Sequence, residues 1–261
     1  MRIAILGATG RVGSKLVDLV GQSDADQLSA CYVSRESPRR GKPVDDLDVL
    51  FESTETAPSE PAELLVDFST PGAVMTIIDN AEQFARALVV GTTGFTDAEM
   101  ERIAFASESL PILLSANFAE SFEPFVTACR QVAAAYPEHL PELIETYHAR
   151  KKKTPSGTSL RMQREVAAAR AAAGADVGQA MPIEVRREGD IVGRHLFRVE
   201  VDASVLQIGF EVLSLESYAR GALQAGRWVS GQSPGFYSMA DYIRSRHVEN
   251  SRSQHGREVQ Q

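Results

Sequence analysis

The N-terminal stretch MRIAILGATGRVGSKLVDLV, residues 1–20, decides the fold class of this chain. Residues 2–6 (RIAIL) are an apolar run that predicts a buried strand, and the segment from Arg11 to Val20 has helical periodicity. The glycine-rich turn GATGRVG lies between them, and a second apolar run, Leu28 to Val33, completes a βαβ unit. A glycine turn in this context is typical of a Rossmann-type dinucleotide-binding domain.

The glycine turn has the properties of a pyrophosphate site. Residues without a Cβ let backbone N–H groups approach an anion, and the positive end of the following helix dipole stabilises that anion. An ordinary tight turn is the alternative, but the strand before it and the helix after it favour the nucleotide site. We expect the cofactor to contact the residues of this turn, which are Gly7, Ala8, Thr9, Gly10, Arg11, Val12 and Gly13.

Residues at the end of the second predicted strand, about 20 positions after the glycine turn, should contact the adenosine ribose. Ser34 and Arg35 stand there, and no carboxylate occupies the preferred place. An acidic residue would accept the ribose hydroxyls and repel a 2′-phosphate, whereas serine and arginine favour that phosphate. The sequence therefore predicts NADPH, with NADH possible, and leaves open that Arg35 is an ordinary surface arginine.

Strand and helix patterns continue to alternate up to residue 117. The stretch 34–61 is weakly patterned and predicts a loop with a short element. After it come predicted strands at 64–68, 87–91 and 111–115, separated by predicted helices at 71–85 and 97–107. This alternation predicts a doubly wound parallel sheet, an α/β fold, over residues 1–117.

A second unit begins after this sheet, over residues 118–215. A long helical segment leads to an apolar run at 142–148 and to a helix from Ser156 to Ala173. Strand patterns at 183–188, 195–201 and 205–212 follow, with turn residues between them. They predict an α+β domain on a mixed or antiparallel sheet, a return to the first domain over 216–243, and a polar, partly disordered tail over 244–261.

Net charge, cysteine spacing and hydropathy exclude several classes of binding partner. The net charge of −8 argues against nucleic acid as a partner, because phosphate binding needs a broad basic surface. Cys31 and Cys129 match no ligand or redox spacing, so free buried thiols and no metal site are expected. The N-terminus lacks a signal-peptide pattern, and no apolar run approaches the roughly 20 residues that span a bilayer. We expect a cytoplasmic protein with no membrane partner.

A basic turn, HARKKKTPSGTS at residues 148–159, is the second candidate site. Ser156, Gly157 and Thr158 follow a proline and open a helix, so their N–H groups and hydroxyls can form an anion pocket. The run from Arg150 to Lys153 adds positive charge. A solvated charged turn is the alternative explanation, and the adjacent helix start favours the anion site.

Five strings together resemble the dihydrodipicolinate reductase family. They are GATGRVG, VDFSTP (66–71), GTTGF (91–95), HARKKKTPSGTS and EGDIVGRH (188–195), and the similarity runs from residue 1 to about residue 243. The resemblance implies NAD(P)H-dependent reduction of 4-hydroxy-tetrahydrodipicolinate to tetrahydrodipicolinate in the diaminopimelate and lysine pathway. It also implies a small dicarboxylate substrate and a homotetramer built through the second domain, with 183–212 at its core.

The resemblance carries further roles to individual residues. Those placed with the cofactor, partly beside its nicotinamide, are Phe68, Ser69, Gly91, Thr92, Thr93, Asn117 and Phe118. Those placed at the substrate carboxylates are His148, Lys151, Ser156, Gly157 and Thr158. Tyr147, His148 and Lys151 are the implied catalytic set, with Lys151 neutralising a carboxylate.

The sequence departs from the family near the substrate. Tyr147 replaces the first of two histidines, which is the family's proposed proton donor, and the segments AESFEP (119–124) and FEVLSLES (210–217) also differ. Tyr147 could donate the proton if the neighbouring lysines lower its pKa; otherwise it packs, and His148 or water donates. Two other functions stay open: a related NADPH-dependent reductase of another small anionic keto or imino acid, and an NADPH-binding regulator without turnover.

Overall fold

The computed structural model describes residues 1–45 and 47–246. The chain divides into two compact units, one formed by Met1–Phe118 and the chain from Tyr218 onward, the other by Ala119–Ser217. Residues 239–246 are helical, and residues 247–261 of the predicted polar tail lie outside the described residues. Within the described ranges, no helix combines the length and the apolar character needed to cross a membrane.

Strands and helices alternate through most of the first unit, whereas in the second unit three strands follow one another after the second helix. The strands are β1 (Arg2–Leu6), β2 (Gln27–Tyr32), β3 (Pro43–Val44), β4 (Leu47–Glu52), β5 (Leu64–Asp67), β6 (Leu88–Val90), β7 (Pro111–Leu114), β8 (Glu142–Tyr147), β9 (Ile183–Arg187), β10 (Gly193–Val201), β11 (Ser204–Val212) and β12 (Gly235–Tyr237). The α-helices with defined bounds are α1 (Arg11–Gly21), α2 (Pro71–Met75), α3 (Ala81–Phe84), α4 (Asp97–Ala106), α5 (Phe122–Ala135), α6 (Gly157–Ala172) and α7 (Glu216–Val229).

The first unit is built on a sheet with the strand order β12-β7-β6-β5-β1-β2-β4-β3. Its strands pair in parallel except for β3 with β4, which confirms the predicted doubly wound parallel sheet. The strand order reverses direction between β1 and β5, because β2 lies on one side of β1 and β5 on the other. In such sheets the ligand crevice lies beyond the carboxyl ends of the strands at this switch point.

Apolar residues cover both faces of this sheet. On one face, Ile3 and Ile5 of β1 pack in a cluster with Leu16 of α1. On the other face, Ala4 and Leu6 belong to a second cluster that includes residues of the helices after β5. Successive side chains of a strand point to opposite faces, so a continuous apolar run is what a two-sided core requires. The burial of both faces fixes the carboxyl end of β1 under the glycine turn.

Two elements of the first unit differ from the sequence prediction. The helix expected over 71–85 is broken into α2, a 3₁₀ turn at Ile78–Asn80 and α3. The Thr76 hydroxyl donates to the Ala73 carbonyl at 2.7 Å, and the buried β-branched residues after it favour packing over helical propensity. The weakly patterned stretch 34–61 contains β3 and β4, which form an antiparallel pair rather than a loop with one short element.

The second unit is a four-stranded sheet in the order β11-β10-β8-β9. β10 runs antiparallel to β8 and β11, whereas β8 and β9 are parallel, so the predicted mixed sheet is confirmed. One face carries α5, where Phe122 and Phe125 each lie 5.5 Å from the ring of Phe210 on β11. Arg161 of α6 forms a bidentate ion pair with the buried Glu123 of α5, at 2.5 and 2.8 Å. These contacts position the start of α6 beside the end of β8.

Candidate functional site

Backbone hydrogen bonds hold the glycine turn of the first unit. The amides of Gly7 and Ala8 both donate to the Tyr32 carbonyl, at 3.0 and 3.2 Å, and Gly7 has a φ of +82°. A Cβ on Gly13 would lie 2.0 Å from the Gly7 carbonyl oxygen, and one on Gly7 would lie 2.6 Å from that of Phe68. The turn therefore tolerates only glycine at these positions, as a close backbone cradle for a pyrophosphate requires.

A cleft of about 620 Å³ opens beside this turn. The predicted cofactor residues that line it are Gly7, Thr9, Gly10, Ser34, Arg35, Phe68 and Ser69. They come from the carboxyl ends of β1, β2 and β5 and the loops that follow. The volume and the glycine cradle fit the binding of part of a dinucleotide at the switch point of the sheet.

The cleft also contains a carboxylate, near Ser34 and Arg35, that the sequence analysis did not identify. Ser53, Thr54 and Glu55, which follow β4, also line the cleft. Glu55 forms ion pairs with Arg35 at 2.9 Å and with Arg40 at 3.6 Å. This carboxylate comes from the end of β4, which lies beside β2 in the sheet, and not from the end of β2, where Ser34 and Arg35 stand.

The other residues of the glycine motif lie next to the cleft. Ala8 is buried, and Arg11, Val12 and Gly13 form the first turn of α1, which follows Gly10 as its N-cap. The first turn of a helix presents N–H groups that lack intrahelical partners, so this placement suits an anion. The amides of Gly7, Ala8 and Gly10 are already engaged within the fold, so the motif offers an anion the backbone donors of the first turn of α1.

A buried carboxylate joins the loop after β5 to the GTTGF loop. Asp67 accepts hydrogen bonds from the hydroxyl of Ser69 and, at 3.0 Å, from its amide, and the Thr92 amide donates to it at 3.3 Å. The Ser69 amide also donates to the Thr92 hydroxyl at 3.0 Å. Burial raises the pKa of Asp67 to about 6, against these hydrogen bonds. Asp67 thereby ties the two loops together.

Aromatic packing places the remaining predicted cofactor residues. A Cβ on Gly91 would lie 2.5 Å from the Phe68 ring, and that ring meets Phe118 edge to face with centroids 5.4 Å apart. The backbone amide of Asn117 donates to the Ser115 hydroxyl at 3.2 Å. Thr93 is exposed on the GTTGF loop. Phe68, Gly91 and Phe118 thus form one packed group, and the exposed Thr93 lies outside it.

In the second unit, β8 ends at Tyr147 and α6 begins after Ser156. The Ser156 hydroxyl caps the helix by accepting from the Ser159 amide at 3.1 Å. Hydrogen bonds link the Tyr147 hydroxyl to the side chains of Ser156 and Thr158. The Lys151 ammonium lies 3.6 Å from the centre of the Tyr147 ring. The structure thus brings a cation, a phenol and two buried hydroxyls together at one helix start.

The predicted substrate residues lie at or beside this group. Ser156 and Thr158 are buried, Gly157 is the first residue of α6, and His148 is buried directly after β8. Lys151 follows on the basic turn. A helix start with buried hydroxyls and an adjacent ammonium can hold a carboxylate by charge and hydrogen bonds together.

Two buried charges that the sequence reading missed hold the basic turn in place. Glu145 of β8 accepts from the Ser156 amide at 2.9 Å and from the Ser159 hydroxyl at 2.5 Å. Arg187 of β9 donates to Glu145 at 2.9 Å and to the carbonyl of Thr154 at 2.8 Å. It also donates to the Lys152 carbonyl at 2.6 Å. We call this pair, Glu145 and Arg187, the brace of the basic turn.

Burial governs the protonation of the groups around Tyr147. It raises the pKa of Tyr147 against the hydrogen bonds to Ser156 and Thr158, so the condition under which Tyr147 could donate the proton, a lowered pKa, is not met. His195 of β10 meets the Tyr147 ring edge to face at 5.6 Å, and burial lowers its pKa to about 4. Burial pushes the pKa of Glu145 up, but hydrogen bonds from Ser159, Ser156 and Arg187 outweigh it and lower the pKa. Tyr147 and His195 are therefore neutral at pH 7, and Glu145 is charged.

A doubly wound sheet with a glycine cradle at its switch point is the architecture of a dinucleotide-binding oxidoreductase domain, and here a second unit with a basic turn at a helix start accompanies it. Residues 1–118 match the family model for the N-terminus of dihydrodipicolinate reductase, and residues 124–243 match the one for its C-terminus. The chain belongs to the dihydrodipicolinate reductase family, whose enzymes use NAD(P)H.

Individual relatives agree with this assignment. The chain is 27% identical over 263 residues to a 4-hydroxy-tetrahydrodipicolinate reductase of Syntrophotalea carbinolica, covering 93% of this chain and 98% of the relative. It is 29% identical over 256 residues to a protein of the same name from Sulfurovum sp., with coverage of 93% and 98%.

Two solved structures share the fold. A dipicolinate-bound dihydrodipicolinate reductase from Paenisporosarcina sp. superposes with a TM-score of 0.71 at 19% identity, over 91% of this chain and 97% of that one. The DAP dehydrogenase of C. glutamicum in complex with DAP gives a TM-score of 0.53 at 13% identity, with coverage of 93% and 95%. At these identities the likeness concerns the fold.

Proposed function

We propose that this protein reduces 4-hydroxy-tetrahydrodipicolinate to tetrahydrodipicolinate with NADPH, as a step of the diaminopimelate and lysine pathway. Family membership and the names of two relatives support the reaction. The observation that carries the proposal is the start of α6, where the Lys151 ammonium and the hydroxyls of Ser156 and Thr158 gather around Tyr147. Such a group suits a small dicarboxylate.

In the first unit, the glycine cradle and the first turn of α1 would hold the pyrophosphate, and Phe68, Gly91 and Thr92 would lie with the nicotinamide. When bound, the nicotinamide supplies a hydride. Arg35, which lines the cleft, supports a preference for NADPH because it can pair with a 2′-phosphate, and Arg40 lies next to it across Glu55. NADH remains a usable second cofactor in this proposal.

In the second unit, Lys151 would neutralise one substrate carboxylate, and the amides of Gly157 and Thr158 and the hydroxyls of Ser156 and Thr158 at the helix start would donate hydrogen bonds to it. The brace keeps these donors in place from β8 and β9, without contacting the substrate.

The proton donor in this proposal is His148. An acid works best when its pKa lies near the ambient pH, and burial moves the pKa of Tyr147 further above its ordinary value near 10. The Tyr147 hydroxyl is also engaged by two side chains of α6. We therefore assign Tyr147 to holding the carboxylate pocket, and His148, one residue further along the chain, to protonating the product.

We further propose a cytoplasmic homotetramer that assembles through the second unit, with residues 183–212 at its core. The edge strand β11 supports this, because its apolar residue Val205 is 47% exposed. An unpaired strand edge is usually covered, and a second copy of the chain can cover it.

A spectrophotometric assay tests the proposed reaction. NADPH oxidation is followed with freshly generated 4-hydroxy-tetrahydrodipicolinate and, in parallel, with a panel of small keto and imino acids. We expect turnover with the first substrate alone. Tyr147 at the family's histidine position favours the second candidate, a related reductase of another small anionic acid, and turnover of a panel member alone would establish that candidate. NADPH binding without any turnover would identify the third, a regulator.

A further inference from the structure

Glu55 lies where the cofactor cleft meets a cluster of opposite charges. It lines the cleft together with Ser34 and Arg35. Its two carboxylate oxygens are divided between two arginines, with one oxygen 2.9 Å from Arg35 and the other 3.6 Å from Arg40. Arg40 in turn donates to the Arg35 carbonyl at 3.4 Å. The three side chains thus form a compact charge cluster at the end of β2.

The cluster adds little to the stability of the fold. The side chains of Arg35, Arg40 and Glu55 are 71%, 46% and 45% exposed, and exposed ion pairs contribute little to folding. Its position in the cleft instead suggests a role in ligand binding. Arg35 lines this end of the cleft, Arg40 adjoins it through Glu55, and Glu55 pairs with both arginines.

We propose that Glu55 sets the balance between NADPH and NADH, because its carboxylate competes with a 2′-phosphate for Arg35 and Arg40. This inference rests on the cofactor site of the proposed function. A 2′-phosphate must displace the Glu55 carboxylate or share the two arginines with it at a cost in repulsion. NADH carries a hydroxyl at that position and does not incur this cost. Glu55 therefore weakens NADPH selectively and moves the enzyme towards use of both cofactors.

The test compares Glu55→Gln with Glu36→Gln in the full-length protein. Both variants remove one negative charge near Arg35, but Glu36 is exposed and does not line the cleft. Dissociation constants for NADPH and NADH are measured by fluorescence titration without substrate. We expect Glu55→Gln to bind NADPH about threefold to tenfold more tightly and NADH within twofold of the unaltered protein. Glu36→Gln should leave the ratio of the two constants within twofold.

Measuring the same dissociation constants at higher salt concentration provides an independent test, because the competition is electrostatic. Raising the ionic strength should reduce the difference in NADPH affinity between Glu55→Gln and the unaltered protein. An unchanged ratio in Glu55→Gln, or an equal shift in Glu36→Gln, would overturn the role of Glu55 while leaving the proposed function intact. Failure of the unaltered protein to bind either dinucleotide would overturn both.

Discussion

The glycine turn after β1 and the basic turn after β8 both present donors to an anion, but they are held in different ways. The glycine turn depends on the absence of side chains, since a Cβ on Gly13 would lie 2.0 Å from the Gly7 carbonyl oxygen. The basic turn depends on two buried side chains, Glu145 and Arg187, of which the second is 33 residues from the Thr154 carbonyl that it contacts. The first site is therefore sensitive to added atoms and the second to lost charge.

Adding one carbon to the glycine turn should have the largest effect. In Gly13→Ala the new methyl group meets the Gly7 backbone, so the turn must open and we expect NADPH affinity to fall by about 100-fold or more. Gly231→Ala is the control, since its Cβ would come no closer than 3.6 Å to the Trp228 carbonyl oxygen. Circular dichroism checks the fold and fluorescence titration measures binding. Undiminished NADPH binding by folded Gly13→Ala protein would show that the turn is not the phosphate cradle.

Removing one charge from the brace should have the next largest effect. It should lower the stability of the protein and weaken binding of the substrate rather than of NADPH. Arg187→Gln leaves Glu145 buried without its cation, so the free energy of unfolding should fall by about 3–5 kcal/mol. Arg186→Gln, which breaks only the exposed pair with Glu184, should cost less than about 1 kcal/mol. Urea denaturation measures both changes.

Ligand binding separates this role from general destabilisation. Dipicolinate, the ligand named for a structural relative, should bind more weakly to Arg187→Gln, with NADPH affinity unchanged. Should Arg187→Gln fail to fold, Arg187→Lys keeps the charge and loses the forked donors to the Lys152 and Thr154 carbonyls. Equal loss of dipicolinate affinity in the variants of Arg186 and Arg187 would contradict the brace.

Removal of the Tyr147 hydroxyl should have the smallest effect. Tyr147→Phe keeps the ring under Lys151 and deletes only the hydrogen bonds to Ser156 and Thr158, so we expect substrate KM to rise a few-fold and kcat to change by less than about tenfold. Steady-state kinetics across pH provide the readout. A fall in kcat of about 100-fold at unchanged KM would instead identify Tyr147 as the proton donor.

The two sites also differ in how well the sequence predicts them. The glycine turn, its strand and its helix are contiguous, so the residues that form the site are those that the motif contains. Glu55 escaped this reading because its position at the cleft comes from the pairing of β2 with β4, and the apolar pattern of β4 is weak. Sheet order brings it to Arg35, 20 positions earlier in the chain.

In the second unit, the sequence predicted the basic turn and the start of α6 but neither member of the brace. Glu145 lies within an apolar strand and Arg187 beside another arginine, so local context does not distinguish them from surface charges. The parallel pairing of β8 with β9 brings them together. Alternation along β8 does place Glu145 on the same face as the buried Leu143 and Tyr147, a signal that could have identified it.

The most direct test of the proposed function follows the hydride itself. NADPH carrying deuterium at both C4 positions is incubated with the protein and 4-hydroxy-tetrahydrodipicolinate, and the product is analysed by mass spectrometry. We predict tetrahydrodipicolinate that carries one deuterium, formed in step with oxidation of the cofactor. Unlabelled product, or no product while the labelled cofactor binds, would contradict the assignment of this chain as the reductase.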